Sequence, residues 1–260
     1  MSNYLAAVWK CRYFWLSLVQ LDLHTRYRRS ILGLGWSLLQ PIAMTAVLCT
    51  VFSQVFNMDP VEYAPALLVG LCFWSFITTS TLHGSDCLFK GEKYIRQYPA
   101  PMAVYPLRTV LGAAFHLAMA LLVVVLLRFC VKGFGGLSSL VSLIPTLLML
   151  LILGWSLAVL AGFSTAHFPD VQHLAEVGLQ MMFYATPIIY PADRLRGRGY
   201  DWVVDYNPLA AFVQALRDPL LHGQFPSLEV MGIAGLSTII IAGAATWMLV
   251  RLEPRVIFQL

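Results

Sequence analysis

Few of the residues able to do chemistry stand where they could do it together. Asp170 lies between His167 and His173 in the composition of an acid–base pair, but nothing nucleophilic is placed beside it, and a short turn between helices accounts for it. His83 and Cys87, four residues apart, share one helical face, yet two ligands without further spaced partners make no metal site. The glycine-rich GFGG beginning at Gly133 lacks the downstream lysine of a phosphate-cradling loop, which excludes a nucleotide site of that type. Five cysteines (Cys11, Cys49, Cys72, Cys87, Cys130) are odd in number and scattered, mostly in or beside apolar segments. They read as small core residues and not as a disulfide framework or a zinc site. None of the thirteen Asp and Glu falls inside a long apolar segment, where a proton-coupled transporter needs an ionisable group. No catalytic, cofactor or metal site is therefore expected.

The charges that do cluster are basic. Arg26, Arg28 and Arg29 occupy one helical turn, and after Ser30 the chain stays uncharged until Asp59. Arginine at the centre of a bilayer costs about 2.5 to 3.5 kcal/mol on insertion scales, and basic residues flanking a span stay on the cytoplasmic side. The junction thus marks a membrane boundary and a cytoplasmic entrance. Composition agrees: 59% of the 260 residues are hydrophobic and 12% charged, against roughly 25% charged in a soluble domain. The net charge of +4 is explained by basic residues at span ends, which argues against nucleic acid as a partner.

The elements that would position these residues are helices. Uncharged segments at 36–58, 63–85, 109–127, 137–168, 177–192 and 230–250 predict six crossings, an even number that puts both termini on one side. The aromatic-rich stretch 4–22 is too short to span and predicts a helix lying in the interface; its apolar run 13–21 lacks the cleavage site of a signal peptide. Lys10, Arg12, Arg26, Arg28, Arg29, Lys90, Lys93, Arg96, Arg108, Arg251 and Arg255 then fall inside, and Arg128, Lys132, Arg194, Arg196, Arg198 and Arg217 outside, the last four in a long loop. Gly154, Ala158 and Gly162 form a small-residue strip that admits a close helix neighbour, not identified by the pattern. The fifth segment is interrupted at Thr186-Pro187; broken backbone at membrane depth needs protein or water around it, so a half-length helix turning back near the outer surface is expected there. The fold class is all-α integral membrane, one domain over 1–260: 1–35 an interfacial amphipathic helix and basic entrance, then six transmembrane helices, with a re-entrant outer gate at 187–229 between the fifth and sixth.

Three stretches carry a resemblance over nearly the whole chain. Between Asp22 and Pro41 a basic entrance leads into LG-x-x-W and a Gln-Pro pair; 183–190 reads FY-x-TP-x-x-Y; Asn207-Pro208 is followed by an arginine-containing helix over 214–223. Together they resemble the ABC-2-type export permeases that move O-antigen, capsule and teichoic-acid polymers across bacterial inner membranes. The resemblance implies a homodimer forming a channel, two separate ABC ATPase subunits that bind the ATP, a lipid-linked polysaccharide as cargo, and an inner-membrane location with cytoplasmic termini. It also implies that 88–101 is a coupling segment docking on the ATPase through Lys90, Lys93, Tyr94, Arg96 and Tyr98. For a sugar polymer, flat faces that let units slide suit the path better than fixed charges, which nominates Trp36, Trp74, Phe183, Tyr184 and Tyr190; general apolar packing explains any one of them equally. Two alternatives stay open. One is an ABC-2 exporter of a small amphiphile or drug. The other is an intramembrane glycosyl- or acyltransferase, for which His83 and His116 lie inside spans.

Overall fold

A computed structural model describes residues 2–27, 30, 33, 35–97, 100–132, 137–192, 199 and 201–256. Arg28, Arg29 and Tyr98 lie outside the described residues, as does the side chain of Arg26. Every regular element among the described residues is helical. The helices are α1 (Ser2–Lys10), α2 (Arg12–Tyr27), α3 (Gly35–Phe56), α4 (Pro60–Ser85), α5 (Cys87–Gln97), α6 (Val104–Lys132), α7 (Leu143–His167), α8 (Val171–Ala185), α9 (Asp201–Asp205), α10 (Pro208–Arg217) and α11 (Leu228–Val256). A 3₁₀ turn, Leu137–Ser142, precedes α7, and a π turn, Asp218–His222, follows α10.

Five of these helices (α3, α4, α6, α7 and α11) are long and apolar enough to cross a membrane. The remaining expected crossing, at 177–192, is instead the C-terminal part of α8. At 15 residues α8 spans about 22 Å, short of ~30 Å of hydrocarbon. The interfacial helix expected over 4–22 is two helices that meet at a turn on Cys11.

Local chemistry sets the ends. Asn57, in the left-handed region at φ 51, turns the chain between α3 and α4. Asp59 then caps α4, its carboxylate accepting from the Val61 amide at 2.9 Å, with Pro60 in the first turn where no N–H is required. Asn207 and Pro208 repeat the arrangement at α10, Asn207 Oδ1 accepting from the Leu209 amide at 2.9 Å.

Helices α4 and α7 form the centre. The apolar stretch of α4 is 56% buried, against 17% for α3 and 22% for α11. A Cβ added to Gly84 would lie 2.6 Å from Ala158 Cα, one on Gly162 2.7 Å from the Gly84 carbonyl oxygen, and one on Gly154 2.6 Å from Phe76 Cζ. The small-residue strip therefore has a partner, and it is α4. Lipid is as apolar as leucine, so contact of this kind, and not water exclusion, holds the two helices together. Phe73, Phe76, Leu150, Leu153, Ile188 and Phe212 fill the core around them.

Helix α10 falls within 187–229, and its Ala211, Phe212, Val213, Ala215 and Leu216 are buried. It packs against α4, α7 and α11. Outward-facing Leu39, Val47 and Val55 on α3, and Leu236, Ile239 and Ile240 on α11, leave those faces apolar and open.

Candidate functional site

The break after α8 organises one end of the bundle. Thr186 precedes a proline and is driven into extended backbone (φ −95, ψ 134), which ends the helix. The carbonyls released there would be costly in a dry environment, and each one from 184 to 189 finds a donor. Tyr190 Oη donates to the Tyr184 carbonyl at 2.9 Å, and Asn207 Nδ2 to that of Ala185 at 3.3 Å. The Ile188 amide donates to the Thr186 carbonyl at 2.7 Å. Arg217 Nη1 and Nη2 reach the Pro187 and Ile188 carbonyls, both at 2.9 Å, and Tyr63 Oη donates to that of Ile189. Arg217 Nε also donates to the Ala66 carbonyl of α4 at 3.1 Å. Asn207 Nδ2 further joins Thr186 Oγ1 at 3.0 Å, so the head of α10 is tied to the tail of α8.

Space for the guanidinium comes from Gly70, where a Cβ would sit 3.0 Å from Arg217 Nη2 and 2.9 Å from Ile188 Cγ2. Arg217 is thus a structural donor and not a solvated loop charge. Arg128, also expected outside, donates to the Pro219 carbonyl together with Ser139 Oγ (3.3 Å) and so holds the π turn.

Four of the five nominated aromatics gather around this break. Trp74 meets Phe183 at 5.4 Å between centroids, Phe183 meets Tyr184 edge-on at 5.4 Å, and Tyr190 is tied to the Tyr184 carbonyl. Tyr184 is 64% exposed, so the cluster presents an open face. Trp36, 52% exposed, stands instead at the start of α3, toward the other end of the α3–α4 hairpin.

At that other end lies α5. Its inner face is fixed: Cys87, Leu88 and Gly91 are buried, and a Cβ on Gly91 would come within 2.5 Å of the Tyr105 ring. Its outer face carries Phe89, Lys90, Lys93, Arg96 and Gln97, all exposed. Lys90 pairs with Asp86 at 3.6 Å and Arg96 with Glu92 at 2.8 Å along the helix, exposed pairs that contribute little to stability. Tyr94 turns away from this face and packs edge-on against Phe14 of α2 at 6.2 Å.

Around α5 the chain is clasped by polar contacts. Glu253 Oε1, at the end of α11, accepts from Tyr4 Oη (3.0 Å) and from the Met102 amide (2.9 Å), in the turn between α5 and α6. The Ala103 amide donates to Tyr4 Oη at 3.3 Å, and Trp155 Nε1 to the Ala103 carbonyl at 3.3 Å. Burial pushes the Tyr4 phenol well above the ordinary tyrosine value, keeping it protonated and able to donate. Arg108 of α6 holds Asp22 of α2 through Nε and Nη2, a bidentate pair that fixes α2 to the bundle.

Residues 13–221, which run from α2 through the break and α10, match the family model described as "ABC-2 type transporter". The chain belongs to the ABC-2 type transporter family. The match ends in the π turn, so it takes in the whole break and its Arg217 support. As an ABC-2 transporter chain it is a multi-pass membrane protein. Among its relatives are the O-antigen export system permease protein RfbA of Klebsiella pneumoniae, 27% identical over 203 residues (78% of each chain), and the protein of the same name in Myxococcus xanthus, 24% identical over 236 residues (89% of each). The polysialic acid transport protein KpsM of Escherichia coli is 21% identical over 229 residues, 85% of this chain and 87% of its own.

Residue types alone did not nominate Arg217, Tyr63, Asn207 or Phe89. The Asn-Pro pair was a legible cap signal for α10, whereas the carbonyls that Arg217 serves belong to other elements.

Proposed function

We propose that this chain is the membrane subunit of an ATP-driven exporter of a lipid-linked polysaccharide, acting as a homodimer with two separate ABC ATPase subunits at a bacterial inner membrane. The observation that carries the reading is the aromatic cluster Trp74–Phe183–Tyr184–Tyr190, open on one side and set beside a helix break. Stacked rings without fixed charge hold sugar units weakly and let them slide, and the relatives named for O-antigen and polysialic acid carry polymers of this class. Trp36 and the arginines Arg26, Arg28 and Arg29 belong to the cytoplasmic entrance in this reading, with both termini on that side.

The ATPase docks on the outer face of α5. Phe89 supplies an apolar anchor among Lys90, Lys93 and Arg96, a composition that suits an interface with an aromatic centre and a charged rim. Closure of the ATPases on ATP pushes α5. Because its inner face is locked on Tyr105, the push passes to α6 and α7. The region 187–229 is the outer gate, and α8 is the short fifth crossing that turns back at Thr186-Pro187.

Deleting the gene tests the reading. Lipid-linked polysaccharide accumulating inside the cell, with loss from the surface, is the expected result. Unchanged surface glycan would defeat polymer export and favour a small amphiphile as cargo. In the reconstituted complex, Phe89→Ala with Arg96→Ala is expected to leave basal ATP hydrolysis intact while abolishing its coupling to transport; normal coupling would remove α5 from the docking site.

A further inference from the structure

We propose that Arg217 is the latch of the outer gate: a positioning residue that binds the broken segment 186–189 to α4 and so keeps the outer end of the path closed. The inference rests on the gate reading above and assigns the closure to one side chain.

The geometry is specific. Three of the guanidinium's N–H groups point to three carbonyls on two elements, Ala66 of α4 at 3.1 Å and Pro187 and Ile188 at 2.9 Å each. Among the described residues no salt bridge to Arg217 is formed, and the hydrogen bonds of its guanidinium go to backbone carbonyls. A carboxylate partner would hold the arginine whatever the backbone did. Carbonyl partners hold it only while both elements stay in register. The planar fork matters here, because a lysine offers one point charge where the arginine offers fixed parallel donors.

Two neighbours show that the site is shaped for this contact. Gly70 leaves the space, since a Cβ there would press on both Nη2 and Ile188 Cγ2. Tyr63, two turns earlier on α4, donates to the Ile189 carbonyl and continues the line of attachment. The break is thus fastened to α4 along 187–189, while the aromatic cluster starts at Phe183, just before it. Releasing the fastening opens the outer end beside the cluster without unfolding α8.

A cysteine reporter tests it. With the native cysteines replaced, Phe183→Cys is labelled in intact spheroplasts by a membrane-impermeant maleimide, so that reagent reaches the reporter only from outside. Arg217→Gln and Gly70→Ala are expected to raise the labelling rate at least tenfold, and Arg217→Lys by an intermediate amount. Gly162→Ala, which presses on the Gly84 carbonyl at the far end of the α4–α7 contact, is the control for general loosening and should label at the parent rate.

A parent rate in folded Arg217→Gln overturns the latch, and so does an equal rise in Gly162→Ala. If Arg217→Gln does not accumulate, Gly70→Ala and Arg217→Lys decide: parent rates in both overturn it. Labelling needs neither ATPase nor polysaccharide. Failure of the wild-type complex to move polysaccharide would therefore sink the functional reading while leaving the labelling result to judge the latch.

Discussion

Asn207 joins two elements through one side chain, and a graded set of substitutions separates its two roles. Its Oδ1 caps α10 on the Leu209 amide, and its Nδ2 serves Thr186 Oγ1 and the Ala185 carbonyl. The carbonyl of Ala185, the last residue of α8, has no partner within the helix. Asn207→Ala removes the cap, at a cost of about 1 kcal/mol, and strands that carbonyl, at a further ~1 to 3 kcal/mol. The sum is about 2 to 4 kcal/mol. Asn207→Ser keeps a capping oxygen and should recover only the first part. Asn207→Asp keeps the cap but sets a carboxylate beside the Ala185 carbonyl, so it should be at least as disruptive as Ala at neutral pH.

Hydrogen exchange read by mass spectrometry over 183–192 is the assay, because the Thr186 and Ile188 amides are bonded within the break. A local opening made easier by about 2 kcal/mol speeds exchange roughly 30-fold when 1.4 kcal/mol is a factor of ten. Peptides from α4 around Gly84 should not change. Exchange in Asn207→Ala equal to the parent's would refute the link between α8 and α10. Equal effects of Ala and Ser would show that the cap contributes nothing.

Two further outcomes are expected. Asp22→Ala and Arg108→Ala should each free α2 and lower stability by about 1 kcal/mol, the modest figure reflecting an Asp22 side chain 45% exposed; the charge-swapped double variant should regain part of it in thermal unfolding, and equal losses in single and swapped variants would remove the pair as the tether. The Tyr4 phenol has its folded pKa raised above the ordinary value of 10.0, so its contribution is fully present below about pH 10 and is lost as pH rises from there. Protection of the Ala103 amide, which donates to the phenol, measured against its intrinsic exchange rate, should accordingly hold through neutral pH and fall above pH 10 in the parent, and be low throughout in Tyr4→Phe; a pH profile shared by the two would show that the phenol does not control the clasp.

What could be read from the chain alone was what depends on neighbours in sequence. The apolar lengths located five long helices, the Gly154–Ala158–Gly162 strip foretold a close contact, and Thr186-Pro187 announced the break because proline acts on its own backbone. What stayed hidden depends on distant partners. Hydropathy treats a cation as solvated and groups Arg217 with the external charges, because its acceptors are 29 to 151 residues away. Asp22 and Arg108 are 86 residues apart, and Tyr4 and Glu253 are 249 apart. Residue type nominates Tyr94 as an aromatic anchor; helical phase turns it toward Phe14 and brings Phe89 to the surface. Trp36 shares its residue type with the aromatic cluster but not its place.

The burial of α10 among α4, α7 and α11 also constrains how the chain is put together during synthesis. Synthesis runs from the N-terminus, so α4 and α7 leave the ribosome before Arg217 does. All three acceptors of the arginine, Ala66, Pro187 and Ile188, precede it in the chain and are synthesised before it. Val230 of α11 then closes over Ala211 and Ala215. A ribosome stalled after α10 but before α11 should hold a chain whose break is already fastened and whose α10 still has one bare side, the form in which quality-control proteases would meet it.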